Sequence, residues 1–485
     1  MMITLRNITV WDTGETIDLI VPETDARRFF HESDCVGDGE IDATGMTVAP
    51  GFEDPHVHFR DPGQTYKESM VSGCAAAASG GYVNVLIMPN TVPAMDGRKV
   101  TPDEPGAAEV LGAGYDTVID FLQHYDETHG TALPVRYDLC VCASKGRAGA
   151  EATDVADWQW YRRGVDEAAK DEAQLAHPVT AISDDGSAVP AAILDEVLAN
   201  AERTGLYLIE HCEHHDTGAV NEGPVSRRLG VPGIPEDTEL RIVERDIEAA
   251  RRTGVHVHFQ HVSTAISFEA IRRAKAEGLP ITCETAPHYL ALCDEDLLRY
   301  GTLAKMNPPL RSAEDRLATI AAVADGTVDM LATDHAPHTI DEKNLGFLEA
   351  PNGIIGLECA YGVCHKVLVE GGHIDDRRLI ELMATAPARL LGHHPTDITA
   401  MLDETDRDPR TAGRRVLDLT AVEHPETADL VLLATDERWI VDPERFHSNA
   451  RNTPFGGWEV SGRPLATILG SRLVFSRIPD SRIIR

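Results

Sequence analysis

Two histidines one residue apart, His56-Val57-His58, open the chemical reading. On a β-strand, residues two apart project to one side, so both imidazoles can face one cation while Val57 packs the other way. The pair alone is a weak signal in a chain with 21 histidines. Four further residues give it weight. His211, His261, Asp185 and Asp334 each stand near the end of a short apolar run, and together they offer the nitrogen and oxygen donors that Zn2+ accepts. Two Zn2+ ions sharing a carboxylate and a hydroxide lower the pKa of water toward ~7 and polarise a carbonyl. A further Asp beside that hydroxide can take its proton and pass it to a leaving nitrogen. The pattern points to metal-assisted opening or closing of an amide.

The other polar residues near these positions have plainer readings. His256 and His258 lie on the same run as His261 but further from its end, as packing or hydrogen-bonding residues. His31, His124, His129, His393 and His394 are expected in loops, solvated, and His214 and His215 beside or outside the site. Asp184 must point away from Asp185 if both sit on extended backbone. Ser263 and Cys212 adjoin proposed ligands, but no Gly-x-Ser-x-Gly elbow is present, which disfavours a covalent nucleophile.

Elements must bring these residues together. Eight apolar runs alternate with helical stretches such as Ile242 to Arg252 and Phe268 to Gly278. The runs are Val48 to His58, Tyr82 to Asn90, Tyr137 to Ser144, Pro178 to Asp185, Leu206 to Glu213, Val255 to Ser263, Ile281 to Leu290 and Val328 to His338. The alternation predicts an α/β fold, a (β/α)8 TIM-type barrel over 47–395, with chemistry at the C-terminal strand ends. An open doubly wound sheet is disfavoured because neither a Gly-x-Gly-x-x-Gly nor a Walker loop occurs. Residues 1–46 and 414–485 read as short β-strands without long helices, 396–413 as an acidic linker, and 91–136 as long loops.

Composition sets the setting. The chain has 485 residues, with 44 Lys and Arg against 79 Asp and Glu, a formal charge of −35. No basic run exceeds two residues, so nucleic acid and anionic membrane surfaces are excluded as partners. Only eight of the 44 bases are Lys, and the acids are dispersed, which predicts a solvated surface suited to a salt-rich, halophilic cytoplasm. Nine scattered cysteines without a Cys-x-x-Cys pair fit a reducing compartment. No 18-residue apolar stretch occurs, and the first residues lack a signal-peptide pattern, so a soluble cytoplasmic protein is expected.

The motifs, taken in order, resemble one family. Pro50-Gly51-Phe52-Glu53-Asp54-Pro55-His56-Val57-His58-Phe59-Arg60-Asp61-Pro62-Gly63 is followed by Met88-Pro89-Asn90-Thr91, Ser183-Asp184-Asp185-Gly186, His211-Cys212-Glu213 and His261-Val262-Ser263-Thr264. Then come Lys305-Met306-Asn307-Pro308-Pro309-Leu310-Arg311, Ala332-Thr333-Asp334-His335-Ala336-Pro337-His338 and Asn452-Thr453-Pro454-Phe455. This series resembles the dihydroorotases of the cyclic amidohydrolase superfamily. The resemblance implies that the terminal β segments form a small sandwich beside the barrel. It implies that His56, His58 and Asp334 hold one zinc, that His211 and His261 hold a second, and that Asp185 and a hydroxide bridge them. Asp334 doubles as the catalytic proton shuttle. His58, Arg60, Asn90 and His338 meet the substrate, Asn307 lies near its ring, and Asn352 and Gly353 belong to a substrate loop, 339–356. Many relatives bridge their metals with a modified lysine; the fourth run has none, and Lys145 at the third run's end is the nearest candidate.

The implied reaction is reversible cyclisation of N-carbamoyl-L-aspartate to (S)-dihydroorotate with release of water, a step of pyrimidine biosynthesis. A homo-oligomer is compatible with that reading. A hydantoinase or allantoinase, or a catalytically silent scaffold of the same fold, are the alternatives.

Overall fold

The computed structural model describes residues 2–22, 39–162, 175–213, 218–405 and 414–484. Eight parallel strands pair in chain order: β1 (Phe52–Val57), β2 (Tyr82–Ile87), β3 (Arg136–Cys142), β4 (Val179–Ser183), β5 (Tyr207–His211), β6 (Val257–Gln260), β7 (Ile281–Thr285) and β8 (Met330–Leu331). A parallel bridge between Val57 and His335 returns the last strand to the first, and there the His58 N–H donates to the His335 carbonyl at 2.9 Å. The result is the expected TIM-type barrel. Each predicted run covers one of these strands, the third all but its first residue Arg136, and overshoots its end. In the seventh run the chain leaves β7 and enters a helix, Pro287–Ala291, whose proline stands in the first turn, where no intrahelical N–H is needed.

Helices cover the barrel with one apolar face each. In Asp237–Thr253, Ile242, Val243, Ile247 and Ala250 are buried at helical spacing, and Gly254 ends the helix in the left-handed region at φ +74°. Val243, Ile247 and Ala250 join Phe259, Phe268 and the strand residues Val57, Leu139 and Val141 in one continuous core. Each buried Val, Leu, Ile or Phe among them contributes roughly 1.5–3 kcal/mol.

A second, mixed sheet of nine strands is built from the two chain ends. Met2–Val10 pairs antiparallel with Thr16–Pro22 and parallel with Gly39–Asp42 and Thr47–Pro50. Thr47–Pro50 pairs antiparallel with Leu430–Ile440, which pairs in turn with Glu459–Leu469. The start of the first predicted run thus belongs to this sheet rather than to β1. Leu5, Ile8, Val10, Leu19, Val48, Leu430, Leu432 and Ile468 are its own core.

Two stretches read as irregular contain helices. Within 396–413, read as an acidic linker, Ile398–Thr405 is helical, and Ile398, Met401 and Leu402 bury in the second core; residues 406–413 lie outside the described ones. Acidic composition hid a three-to-four-residue apolar spacing. Within 91–136, Ala107–Gly112, Val118–Gln123 and Tyr125–His129 are short helices, the second capped by the Thr117 hydroxyl. Among the described residues no helix is long and apolar enough to cross a membrane.

His393 corrects an expectation. Read as a solvated loop residue, it lies between two buried carboxylates, 2.5 Å from Glu53 and 3.1 Å from Asp138. Burial opposes its charge, but the two carboxylates raise it to about 9. A folded-state pKa above the unfolded value contributes stability that is complete below about 6.5 and is lost as pH rises through about 9. The expected loss is up to roughly 3 kcal/mol. Melting curves from pH 6 to 10 should therefore fall on the alkaline side, and His393→Gln should flatten that limb; parallel curves for the two proteins would contradict this role.

Candidate active site

All six expected ligands converge at the C-terminal mouth of the barrel. His56 and His58 flank the last residue of β1, His211 ends β5, His261 follows β6, and Asp185 and Asp334 lie just beyond β4 and β8. Asp185 is central. Its Oδ1 lies 3.4 Å from His56 Nε2, 3.4 Å from His211 Nδ1 and 3.8 Å from His261 Nε2, and its Oδ2 lies 3.3 Å from His58 Nε2. Asp334 Oδ1 stands 3.0 Å from His58 Nε2 and 3.5 Å from His56 Nε2. All six side chains are buried.

The donors fit metal ions. Buried His56 Nε2 and Asp185 Oδ1 find no hydrogen-bond partner among the described residues, although orphaned polar atoms are costly. His211 Nδ1 and His261 Nε2 face each other at 2.9 Å, two ring nitrogens that a shared cation satisfies. Ligand atoms of His56, His58 and Asp334 lie within 4.8 Å of one another, as do those of His56, Asp185 and His261. Burial opposes a charge on His56, yet Asp185 and Asp334 raise it well above its ordinary value, so this pocket calls for positive charge. Burial, His211 and His56 hold His261 neutral, the form that ligates. His261 and Asp334 have left-handed backbone, φ +36° and +48°, which costs about 1–3 kcal/mol at a non-glycine residue and marks functional sites.

Beside the ligands lies a cavity of about 120 Å3, lined among others by His58, Arg60, Asn90, Asn307, Asp334, Asn352 and Gly353. Arg60 is buried; its Nε donates to the Pro337 carbonyl at 3.3 Å, and no carboxylate among the described residues pairs with it. Desolvation lowers it to about 10, so it keeps its charge at neutral pH. Asn90 Oδ1 meets His58 Nδ1 at 3.0 Å, and Asn307 Nδ2 meets His211 Nε2 at 3.0 Å, so both reach the ligands as well as the cavity. His338, expected against the substrate, stands behind Arg60 with Nε2 3.4 Å from the guanidinium. Burial, Arg60 and Lys67 push it down to about 2, and it is a neutral acceptor.

A family model described as the amidohydrolase family matches residues 47–396. The chain belongs to the amidohydrolase family. It is a cyclic amidohydrolase by its relatives: a dihydroorotase of Lactiplantibacillus plantarum is 37% identical over 484 residues, covering 98% of each chain. A dihydroorotase of Anaeromyxobacter dehalogenans is 38% identical over 440 residues, covering 90% of this chain and 87% of that one. Among solved structures, an L-hydantoinase from Arthrobacter aurescens superposes with a TM-score of 0.71 at 22% identity, covering 100% of this chain and 97% of its own. A dihydropyrimidinase from Brevibacillus agri gives 0.69 at 19%, covering 98% and 95%. At these identities the likeness is one of fold.

This amidohydrolase also carries carboxylates that sequence reasoning missed. Glu284 on β7 accepts from His56 Nδ1 at 2.7 Å and from His258 Nε2 at 3.0 Å. Burial opposes its charge, but those two imidazoles hold it down at about 2. Asp54, two residues before His56, accepts the His56 backbone N–H at 3.0 Å and the Thr333 hydroxyl at 2.5 Å, so it ties β1 to the segment bearing Asp334. Burial raises it to about 7. A carboxylate inside an apolar barrel run was the available signal for both. Glu284 fixes the tautomer that presents His56 Nε2 to the centre, so Glu284→Gln should weaken metal binding about 10–100-fold. Competition with a chromogenic chelator checks this, and unchanged affinity would mean Glu284 serves packing alone.

The neighbours read as bystanders make contacts elsewhere. Asp184 turns away and accepts the Ser144 N–H at 2.9 Å. Cys212 is core, Ser263 is held by Glu239 at 3.1 Å, and Lys145 pairs with Glu151 at 3.0 Å, outside the site. His256 bonds Thr282 at 2.9 Å. His31, His214 and His215 lie outside the described residues.

Proposed function

We propose that this amidohydrolase is a zinc-dependent dihydroorotase. It interconverts N-carbamoyl-L-aspartate and (S)-dihydroorotate with release of water in the cyclising direction, the third step of de novo pyrimidine (UMP) biosynthesis. The observation that carries the reading is Arg60, a buried guanidinium in the cavity wall with no carboxylate partner among the described residues. A substrate that brings its own carboxylate completes a bidentate pair there, and one that lacks it leaves a buried charge uncompensated. The relatives' printed names support the same substrate.

His56, His58 and Asp334 would hold one Zn2+, His211 and His261 a second, with Asp185 between them. Bound there, zinc supplies Lewis-acid polarisation of the amide carbonyl and a water acidic enough to ionise near neutral pH. The protein's own groups do the rest. Arg60, with neutral His338 behind it, orients the ring carboxylate, and Asn90 holds His58. In ring closure the ureido nitrogen attacks the side-chain carboxyl carbon and forms the C–N bond. Its proton passes to Asp334 Oδ and on to the carboxyl oxygen whose C–O bond breaks, and with one further proton from solvent that oxygen leaves as water. In ring opening a water oxygen adds to that carbon, and Asp334 takes its proton and gives it to the leaving nitrogen as the C–N bond breaks.

A hydantoinase or allantoinase is the second reading, favoured only by fold likeness to hydantoinases. The acidic, lysine-poor surface supports a salt-rich cytoplasm as the working medium. The test is hydrolysis of L-dihydroorotate, allantoin and hydantoin in concentrated KCl, with metal counted by elemental analysis. Turnover of dihydroorotate, about two zinc per chain and loss on chelation uphold the proposal. Metal-loaded protein that opens only hydantoin or allantoin overturns it.

A further inference from the structure

The motif Asn452-Thr453-Pro454-Phe455 has no part in the reaction above, yet Asn452 is fully buried beside the site. Its Oδ1 accepts the His338 N–H at 3.0 Å, and its Nδ2 donates to the carbonyls of Ala336 and Gly353, each at 3.0 Å. One amide thus joins the segment after β8 to the substrate loop, with its acceptor and both donors used.

A second group converges on the same turn. Lys343 Nζ lies 2.9 Å from the Gly353 carbonyl, 3.0 Å from that of Pro351 and 3.2 Å from that of Lys305. Its three donors are matched by three carbonyls, and among the described residues no carboxylate pairs with it, although it is buried. The Gly353 N–H donates to the Lys305 carbonyl at 3.0 Å, so the turn is held from both faces. Space there is tight. Gly353 has φ +149°, and a Cβ would stand 2.6 Å from the Ala336 carbonyl oxygen and 2.7 Å from the His338 ring.

We propose that Asn452 and Lys343 are positioning residues that clamp the Pro351–Gly353 turn, fixing the backbone wall on which the substrate ring rests. The proposal assigns the connection between strands Leu430–Ile440 and Glu459–Leu469 of the second sheet a part in substrate fit. It rests on the reading of the cavity as the dihydroorotate site. Burial lowers the Lys343 amine to about 7, so its charge adds little, and Met fills similar volume while the Gly353 and Lys305 carbonyls keep their other donors, Asn452 Nδ2 and the Gly353 N–H. Positioning and stability therefore separate in Lys343→Met.

The experiment uses full-length zinc-loaded protein, wild type, Asn452→Ala and Lys343→Met. Two readouts are taken: kcat and KM for L-dihydroorotate, and hydrogen–deuterium exchange of peptides spanning 345–356. The clamp predicts KM raised about tenfold with kcat within about threefold, and unchanged metal content. It also predicts loop exchange about tenfold faster, with β6 and β7 peptides unaltered. The double variant should be little worse than the worse single one, because both groups act on the Gly353 carbonyl. Folded variants with wild-type KM and loop exchange would overturn the proposal, as would a fall in melting temperature and kcat with KM unmoved. If the wild type fails to open dihydroorotate, the functional reading falls, and loop exchange alone decides the clamp. Should Asn452→Ala misfold, Lys343→Met decides it.

Discussion

Asp334→Asn should lower kcat for dihydroorotate opening by about 10^3–10^4-fold while the protein stays folded. Asparagine keeps the shape of the side chain and one oxygen donor toward the metal centre, where Asp334 Oδ1 lies 3.0 Å from His58 Nε2. What it loses is the ability to take a proton from the ureido nitrogen and return it. The backbone at this position is already in the left-handed region, φ +48°, and asparagine tolerates that conformation as well as aspartate does. Steady-state kinetics, elemental analysis and circular dichroism on the same preparation separate the effects. Activity within about tenfold of wild type, with metal retained, would remove Asp334 from the proton path.

Arg60→Met should cost about 10^2–10^3 in kcat/KM for dihydroorotate, the scale of about 2–5 kcal/mol for breaking a buried, hydrogen-bonded charge pair. The effect should be selective. Dihydrouracil, the same ring without the carboxylate, has nothing to lose and should be opened by the variant at least as well as by wild type. Arg60→Lys should not restore the carboxylate substrate, because a point charge cannot reproduce the planar fork that meets two oxygens together. Stability should hardly change, since Arg60 has no carboxylate partner among the described residues and its Nε donates only to the Pro337 carbonyl. Equal losses on both substrates would mean that Arg60 supports the fold of the site rather than the substrate.

The barrel and the convergence of its six polar strand-end residues were legible from sequence because the determinants are local. A period of two puts His56 and His58 on one side, and strand ends in a barrel face a common mouth, so six scattered residues could be expected to meet. Asp184 and Asp185 were separable for the same reason. What sequence could not show was set by tertiary partners. Glu284 reads as a mid-strand acid until its contacts with His56 and His258 are seen. His393 reads as solvated until Glu53 and Asp138 close on it from two strands. His338 was expected at the substrate, and its ring lies against the Arg60 guanidinium and beside Gly353, contacts that spacing alone does not show. The helix Ile398–Thr405 escaped notice because charge in its surroundings outweighed a short apolar pattern. Asn452 was visible as a motif, but its partners at Ala336, His338 and Gly353 are more than ninety residues away in the chain.

The central claim is that the cavity beside the metal ligands selects a ring that carries a carboxylate. Its most direct test is the ratio of kcat/KM for L-dihydroorotate over 5,6-dihydrouracil, measured with the zinc-loaded wild-type protein in one buffer. The account predicts a ratio above about 10^2, from the charge-assisted pair with Arg60. Efficient opening of dihydrouracil with little or no turnover of dihydroorotate would contradict it.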